Sequence, residues 1–167
     1  VIGTDRHYIT INNMRIGFYL YSRNTVEENN IGLSFVSHLL YYLLYAYHIS
    51  FEHFVIYPSG MIRKTEDDSQ YFLKIPTKRH SSDMRKFNVA LDMLFTAAYH
   101  LFSSNAVQSN GGAPPFEINI NQRTIEHASY VFEDSVKSLE KWSLAMKYLL
   151  FNLKLVQIRS ATEFLSK

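Results

Sequence analysis

Residues 134–167 read DSVKSLEKWSLAMKYLLFNLKLVQIRSATEFLSK and hold no Gly or Pro. Trp142, Ala145, Met146, Leu149, Leu153 and Val156 recur there at steps of three and four, which puts them on one face of a helix. Lys141, Lys147, Asn152, Lys154 and Arg159 are read as the flanks and far side. Asp134, Ser135 or Ser138 is suited to start the helix, since a short side-chain oxygen accepts from the free N–H groups of a first turn. Trp142 is the only Trp in the chain. It is read as a structural anchor, because a Trp side chain buries about 150–250 Å². The pattern predicts one long amphipathic helix that closes the chain and organises its core.

The bulk composition agrees with a folded domain. The chain has 167 residues, 47% hydrophobic and 15% aromatic, enough for one domain that buries about 70% of its unfolded surface. A formal charge of +2 is too mild to argue for a nucleic-acid partner. With no Cys there are no disulfides or thiolate metal sites. No apolar run reaches the roughly 18 residues of a membrane span; no signal peptide and no N-x-Ser/Thr sequon is visible. Residue 1 is Val, so the chain is expected to be a domain of something longer.

Working from the N-terminus, residues 8–17 alternate as a half-buried hairpin, with Asn12-Asn13 as a tight turn. Asn24 to Asn30 is a polar connector. Ile31 to Tyr47 is predicted helical, with Ile31, Phe35, Leu39, Tyr42 or Leu43, and Ala46 on one face and Leu40, Leu44 and Tyr47 widening it. That helix is expected to be buried on most sides, with Tyr41, Tyr42, Tyr45 and Tyr47 wholly or partly in the core. Phe51–Tyr57, Met61–Lys64 and Tyr71–Lys74 read as short strands, with Pro58-Ser59-Gly60 a turn.

Lys74 to Lys86 reads as a basic loop. A helix follows with Phe87, Leu91, Leu94, Phe95, Ala98 and Phe102 at helical spacing, capped by Ser82 or Asp83. Residues 103–115 are rich in Ser, Asn, Gly and Pro and read as a mobile loop. Phe116–Asn121 and Ile125–Phe132 pair as strands before the last helix. The fold class is therefore α+β: one domain of three sheet–helix units, about 1–50, 51–105 and 113–167, with no fixed-period repeat.

Two stretches carry a family resemblance. Leu139 to Lys154, with Trp142 opening the helix and Asn152-Leu153-Lys154 after an aliphatic run, resembles the final helix of the Beclin family, here of a fungal member. The likeness runs without a gap from about Leu139 to Phe164; Leu155 departs from it, standing where the family often has an aromatic. Thr10-Ile-Asn-Asn-Met-Arg-Ile-Gly17 resembles the segment that opens the family's C-terminal domain. Phe35 and Val55–Gly60 resemble its first helix and a strand ending in a Pro and Gly turn.

The resemblance implies three packed sheet–helix units. It also implies a non-catalytic regulatory subunit of a class III phosphatidylinositol 3-kinase complex, acting in autophagy and in endosomal or vacuolar sorting. The implied partners are a second regulatory subunit, paired through a coiled coil upstream, the catalytic kinase and a scaffold subunit. The implied location is cytoplasmic and peripheral to endosome, vacuole or lysosome and autophagosome-forming membranes. The related domain of the partner subunit is the near alternative, and an unrecognised enzyme the distant one.

The family carries an exposed aromatic trio before its second helix that inserts into membranes. Here the aligned positions are Ser81-Ser82-Asp83, none aromatic. Membrane contact is therefore expected to be electrostatic and peripheral, through Lys74, Lys78, Arg79, Arg85 and Lys86 on anionic lipid. No cofactor is expected. The seven His residues show no metal-ligand spacing. Ser138-Leu-Glu-Lys141 matches Ser-x-x-Lys by letter but lacks the partner motifs of that chemistry, and is read as a helix start.

Overall fold

A computed structural model describes residues 1–5, 8–18, 25–78 and 80–165 of the chain. Its longest element is the closing helix α4 (Val136–Leu165); the preceding elements run β1 (Ile2–Asp5), β2 (Tyr8–Ile11), β3 (Met14–Ile16), α1 (Val26–Ala46), β4 (Phe54–Ile56), β5 (Met61–Lys64), β6 (Gln70–Phe72), α2 (Ser81–Ser103), α3 (Asn105–Ser109), β7 (Ile118–Asn119), β8 (Thr124–Ile125) and β9 (Ala128–Ser129). The strands form three antiparallel sheets in simple order, β1-β2-β3, β4-β5-β6 and β7-β8-β9. The fold is α+β.

Every apolar residue assigned to the core face of α4, from Trp142 to Val156, is fully buried. Ser135 starts the helix, its Oγ accepting from the Ser138 N–H at 3.3 Å. Asn152 does not lie on the far side: it is fully buried, and it accepts from the Phe116 N–H (3.2 Å) and donates to the Phe116 carbonyl (2.7 Å). A buried amide is tolerable only with such partners. Trp142 sits beside Phe18 and Phe132, with ring centroids 6.2 and 5.1 Å away.

The hairpin at residues 8–16 forms as read. Asn12 (φ 48°) and Asn13 (φ 66°) make its two-residue turn, with Ile11 opposite Met14; positive φ at both central positions matches the twist of the flanking strands. Strand β1, a four-residue segment containing Gly3, was not legible as an extra strand.

Helix α1 starts five residues earlier than its apolar pattern suggests. Thr25 caps it, accepting from the Glu28 N–H at 3.0 Å, and Thr25-Val-Glu-Glu28 is the sequence of a capping box. Its buried face is also rotated from the expected one. The face carries Asn29, Gly32, Leu33, Val36, Ser37, Leu40, Leu43 and Leu44, whereas Ile31, Tyr41, Tyr42 and Tyr45 are exposed. Polar and small residues take the inner positions because they hold the first two sheets. Asn29 Oδ1 accepts from the Gly17 N–H (2.8 Å), and the Ser37 hydroxyl donates to the Tyr57 carbonyl (2.8 Å). At Gly32 an added Cβ would meet Ile16 Cγ1 at 2.6 Å.

Helix α2 begins at Ser81 with His80 as its N-cap, so Ser82 and Asp83 lie inside the first turn and do not cap it. Its predicted apolar face is buried throughout. Residues 103–115 are not all loop: α2 continues to Ser103, and Ser104 caps α3. The strands read at Phe51–Tyr57 and Phe116–Asn121 are shorter than predicted, and Ile125–Phe132 is not one strand, because a turn at Glu126-His127 divides it between β8 and β9.

The three sheets are joined by a cyclic set of side-chain-to-backbone bonds. On α1, Asn30 accepts from the Ile75 N–H (2.7 Å) and donates to its carbonyl (3.2 Å). On α2, Asn88 does the same to Phe132, at 2.7 and 2.9 Å. On α4, Ser143 Oγ accepts from the Phe18 N–H at 2.6 Å. Ile75, Phe132 and Phe18 follow the last strands of the second, third and first sheets. Each long helix thus grips the exit of a sheet other than the one that precedes it.

Candidate functional site

Sheet β4-β5-β6 ends at an edge strand, and the chain leaving it turns back to start α2. Between that exit and the first turns of α2 lies an open cleft of ≈ 580 Å³, whose lining includes Phe72, Lys74, Lys78, Asp83 and Lys86. Lys74, Lys78, Arg85 and Lys86 are all exposed. The structure brings Lys74, Lys78 and Lys86 to one cleft; Arg85 projects from α2 without lining it. Arg79 lies outside the described residues. Asp83, in the first turn of α2, is the acid among them.

Phe72 is the residue that sequence reasoning missed here. It is 54% exposed and shared by this cleft and a neighbouring one of ≈ 530 Å³, lined by Val26, Ile31 and Leu73 among others. The signal was available. Leu73 and Ile75 are buried, and period-two alternation from them turns Phe72 outward.

Polar groups elsewhere are engaged in structure. The Arg15 guanidinium donates to both Glu28 carboxylate oxygens (2.9 and 3.0 Å). That pairing holds the Glu28 carboxyl below the usual carboxylate range. Arg123 is bidentate on Asp92 at 2.8 and 3.0 Å; burial pushes the Asp92 carboxyl upward, and the guanidinium opposes this without reversing it. Tyr130 stacks on Phe95 at 4.0 Å. Burial, with Asp92 nearby, pushes its phenol up to about 12, so it stays protonated at neutral pH. The Ser138 hydroxyl donates to Glu133 at 3.1 Å, at the start of α4. Among the described residues no group of His, Asp or Glu is arranged to hold a metal ion, and no helix is long and apolar enough to cross a membrane.

The surface carries a basic cleft, an outward Phe72 and the exposed tyrosines Tyr41, Tyr42 and Tyr45 of α1. Three small antiparallel sheets and a long closing helix define the class, an α+β domain. The family described as the Apg6 BARA domain matches residues 1–162. The chain belongs to that family, the C-terminal domain of the Beclin family, and is an autophagy-related regulatory domain. No curated protein matches it.

Proposed function

We propose that this is the regulatory and targeting domain of a subunit of the class III phosphatidylinositol 3-kinase complex, folded as one domain over 1–167. It docks on the related domain of a second regulatory subunit, beside the catalytic kinase and scaffold subunits, and contacts anionic membrane peripherally. The setting is cytoplasmic, at endosomal, vacuolar or lysosomal and autophagosome-forming membranes. The membrane half rests on one observation: Phe72 stands exposed at the rim of a cleft that gathers Lys74, Lys78 and Lys86, with Arg85 nearby on α2. Cations near an anionic surface add about 1 kcal/mol each before screening, and an outward aromatic ring suits the headgroup region.

Flotation with phosphatidylcholine vesicles, with and without phosphatidylserine, tests this. The domain binds the anionic vesicles and little of it binds the neutral ones. Binding falls as salt shortens the screening length from about 10 Å at 0.1 M to about 3 Å at 1 M. Replacing Lys74, Lys78, Arg85 and Lys86 together by Ser abolishes it, and Phe72→Ser weakens it while leaving the salt dependence. Equal binding to neutral vesicles, or an unaffected quadruple variant, refutes the membrane role.

A further inference from the structure

Helix α4 has a second apolar line. Its broad face fills the core, yet Leu144, Phe151 and Ile158 stand 39%, 37% and 53% exposed on the opposite side. Tyr148 and Leu155, both part-buried, fall between them. The five positions step by 4, 3, 4 and 3 residues, the spacing of a coiled-coil seam. The seam is about 21 Å long at 1.5 Å per residue. Phe116 braces its middle, with its ring 4.3 Å from Tyr148 and 6.4 Å from Phe151.

Cations outnumber acids along this line. Lys147 and Lys154 follow one flank a heptad apart, with the exposed Glu140 a heptad before them, and Lys141 stands where the line itself continues toward the N-terminus; none of the three lysines makes an ion pair with another described residue. We propose that this face of α4 docks an acidic amphipathic helix of about three turns or more, with apolar residues at heptad spacing and carboxylates along its edges. The inference rests on the docking role proposed above and names the chemistry of the partner.

Two other occupants fit less well. A flat bilayer reaches poorly into a line one side chain wide whose central ring is 37% exposed, whereas interfacial helices offer a broad apolar face. A second copy, paired about a two-fold axis at Phe151, sets Lys147 of one protomer near Lys154 of the other, and like charges repel.

The test uses the 167-residue chain and a labelled synthetic peptide of about three heptads, with Leu at a and d and Glu at e and g. Its controls are a Lys-edged version and a scrambled peptide of identical composition. Fluorescence anisotropy is expected to show binding of the Glu-edged peptide, with both controls roughly tenfold weaker or worse. Phe151→Ser and Lys147→Glu/Lys154→Glu should each weaken it roughly tenfold, with circular dichroism and melting temperature close to the parent. Ile158→Ser, at the most exposed position, gives a further check free of folding defects. Scrambled peptide binding as well as the ordered one overturns the proposal, as do unaffected seam variants. A concentration-dependent dimer that Phe151→Ser dissolves would assign the seam to a second copy, and loss of vesicle flotation in the seam variants would assign it to lipid. The assay contains no lipid or kinase subunit, so its failure leaves the regulatory role standing, and failure of the basic-cleft variants leaves the seam standing.

Discussion

Trp142→Ala tests how far α4 depends on one side chain. Trp142 is fully buried, with the rings of Phe18 and Phe132 on it. Truncation removes roughly 150 Å² of burial, worth about 4 kcal/mol at about 25 cal/mol per Å². Two aromatic contacts add about 0.5–1.5 kcal/mol each. Against this, the indole Nε1 is buried with no partner among the described residues, and removing an orphaned donor returns about 1–3 kcal/mol. The terms sum to a loss of about 2–6 kcal/mol, centred on the about 3–5 kcal/mol usual for such truncations, which is the loss expected. For a domain of this size that lowers the melting temperature by roughly 6–20 °C. Trp142→Phe keeps most of the packing and deletes the orphaned N–H, so it should cost under about 1.5 kcal/mol. Scanning calorimetry on the three proteins decides the matter. An alanine variant that melts with the parent refutes the anchoring role, and a Phe variant as damaged as the Ala one refutes the orphaned-donor argument.

Two polar contacts and one close approach give three further outcomes. Because pairing with Arg15 lowers the folded-state pKa of Glu28 below its ordinary 4.5, its contribution is present above that value and is lost as pH falls through the depressed one. Glu28→Gln should destabilise at neutral pH by about 1–2 kcal/mol and flatten the acid limb of stability in denaturant titrations from neutral to acid pH. Asn88→Ala removes both bonds to the Phe132 peptide and should cost about 1–3 kcal/mol by urea denaturation, with Asn88→Asp no rescue because a carboxylate cannot donate. Gly32→Ala pushes a methyl against Ile16 and should cost about 1–3 kcal/mol, read from the same titration.

The parts of the fold legible in the sequence are those where polarity and burial agree. On α2 every buried position is apolar, and on α4 all are except Ser143, Asn152 and Ser160, so helical periodicity finds most of both faces. On α1 the two diverge. Its surface face carries Ile31, Tyr41, Tyr42 and Tyr45, and its inner face carries Asn29, Gly32 and Ser37. Hydrophobicity alone therefore finds Leu40, Leu43 and Leu44 but sets the centre of the stripe to one side of the buried face. Asn152 misleads in the same way, since only the Phe116 peptide beside it explains an amide in the core. In the third sheet alternation marks β7 within Phe116–Asn121, but β8 and β9, two residues each, are too short for it to separate. Of the candidate surface, the cations were visible as a cluster, but their convergence on Phe72 needed the turn from β6 into α2. The outer seam of α4 was hidden because its lysines were read as a solvated flank.

The cyclic grips of Asn30, Asn88 and Ser143 give the molecule a kind of internal avidity. If one grip opens, the two partners remain held by the other two and by the chain, so they meet again at a high effective concentration instead of drifting apart. A momentary breach at any single seam is therefore self-healing, and separation of the three sheets requires at least two breaches at once. A pull on one sheet accordingly loads the whole ring, and no single helix carries it alone.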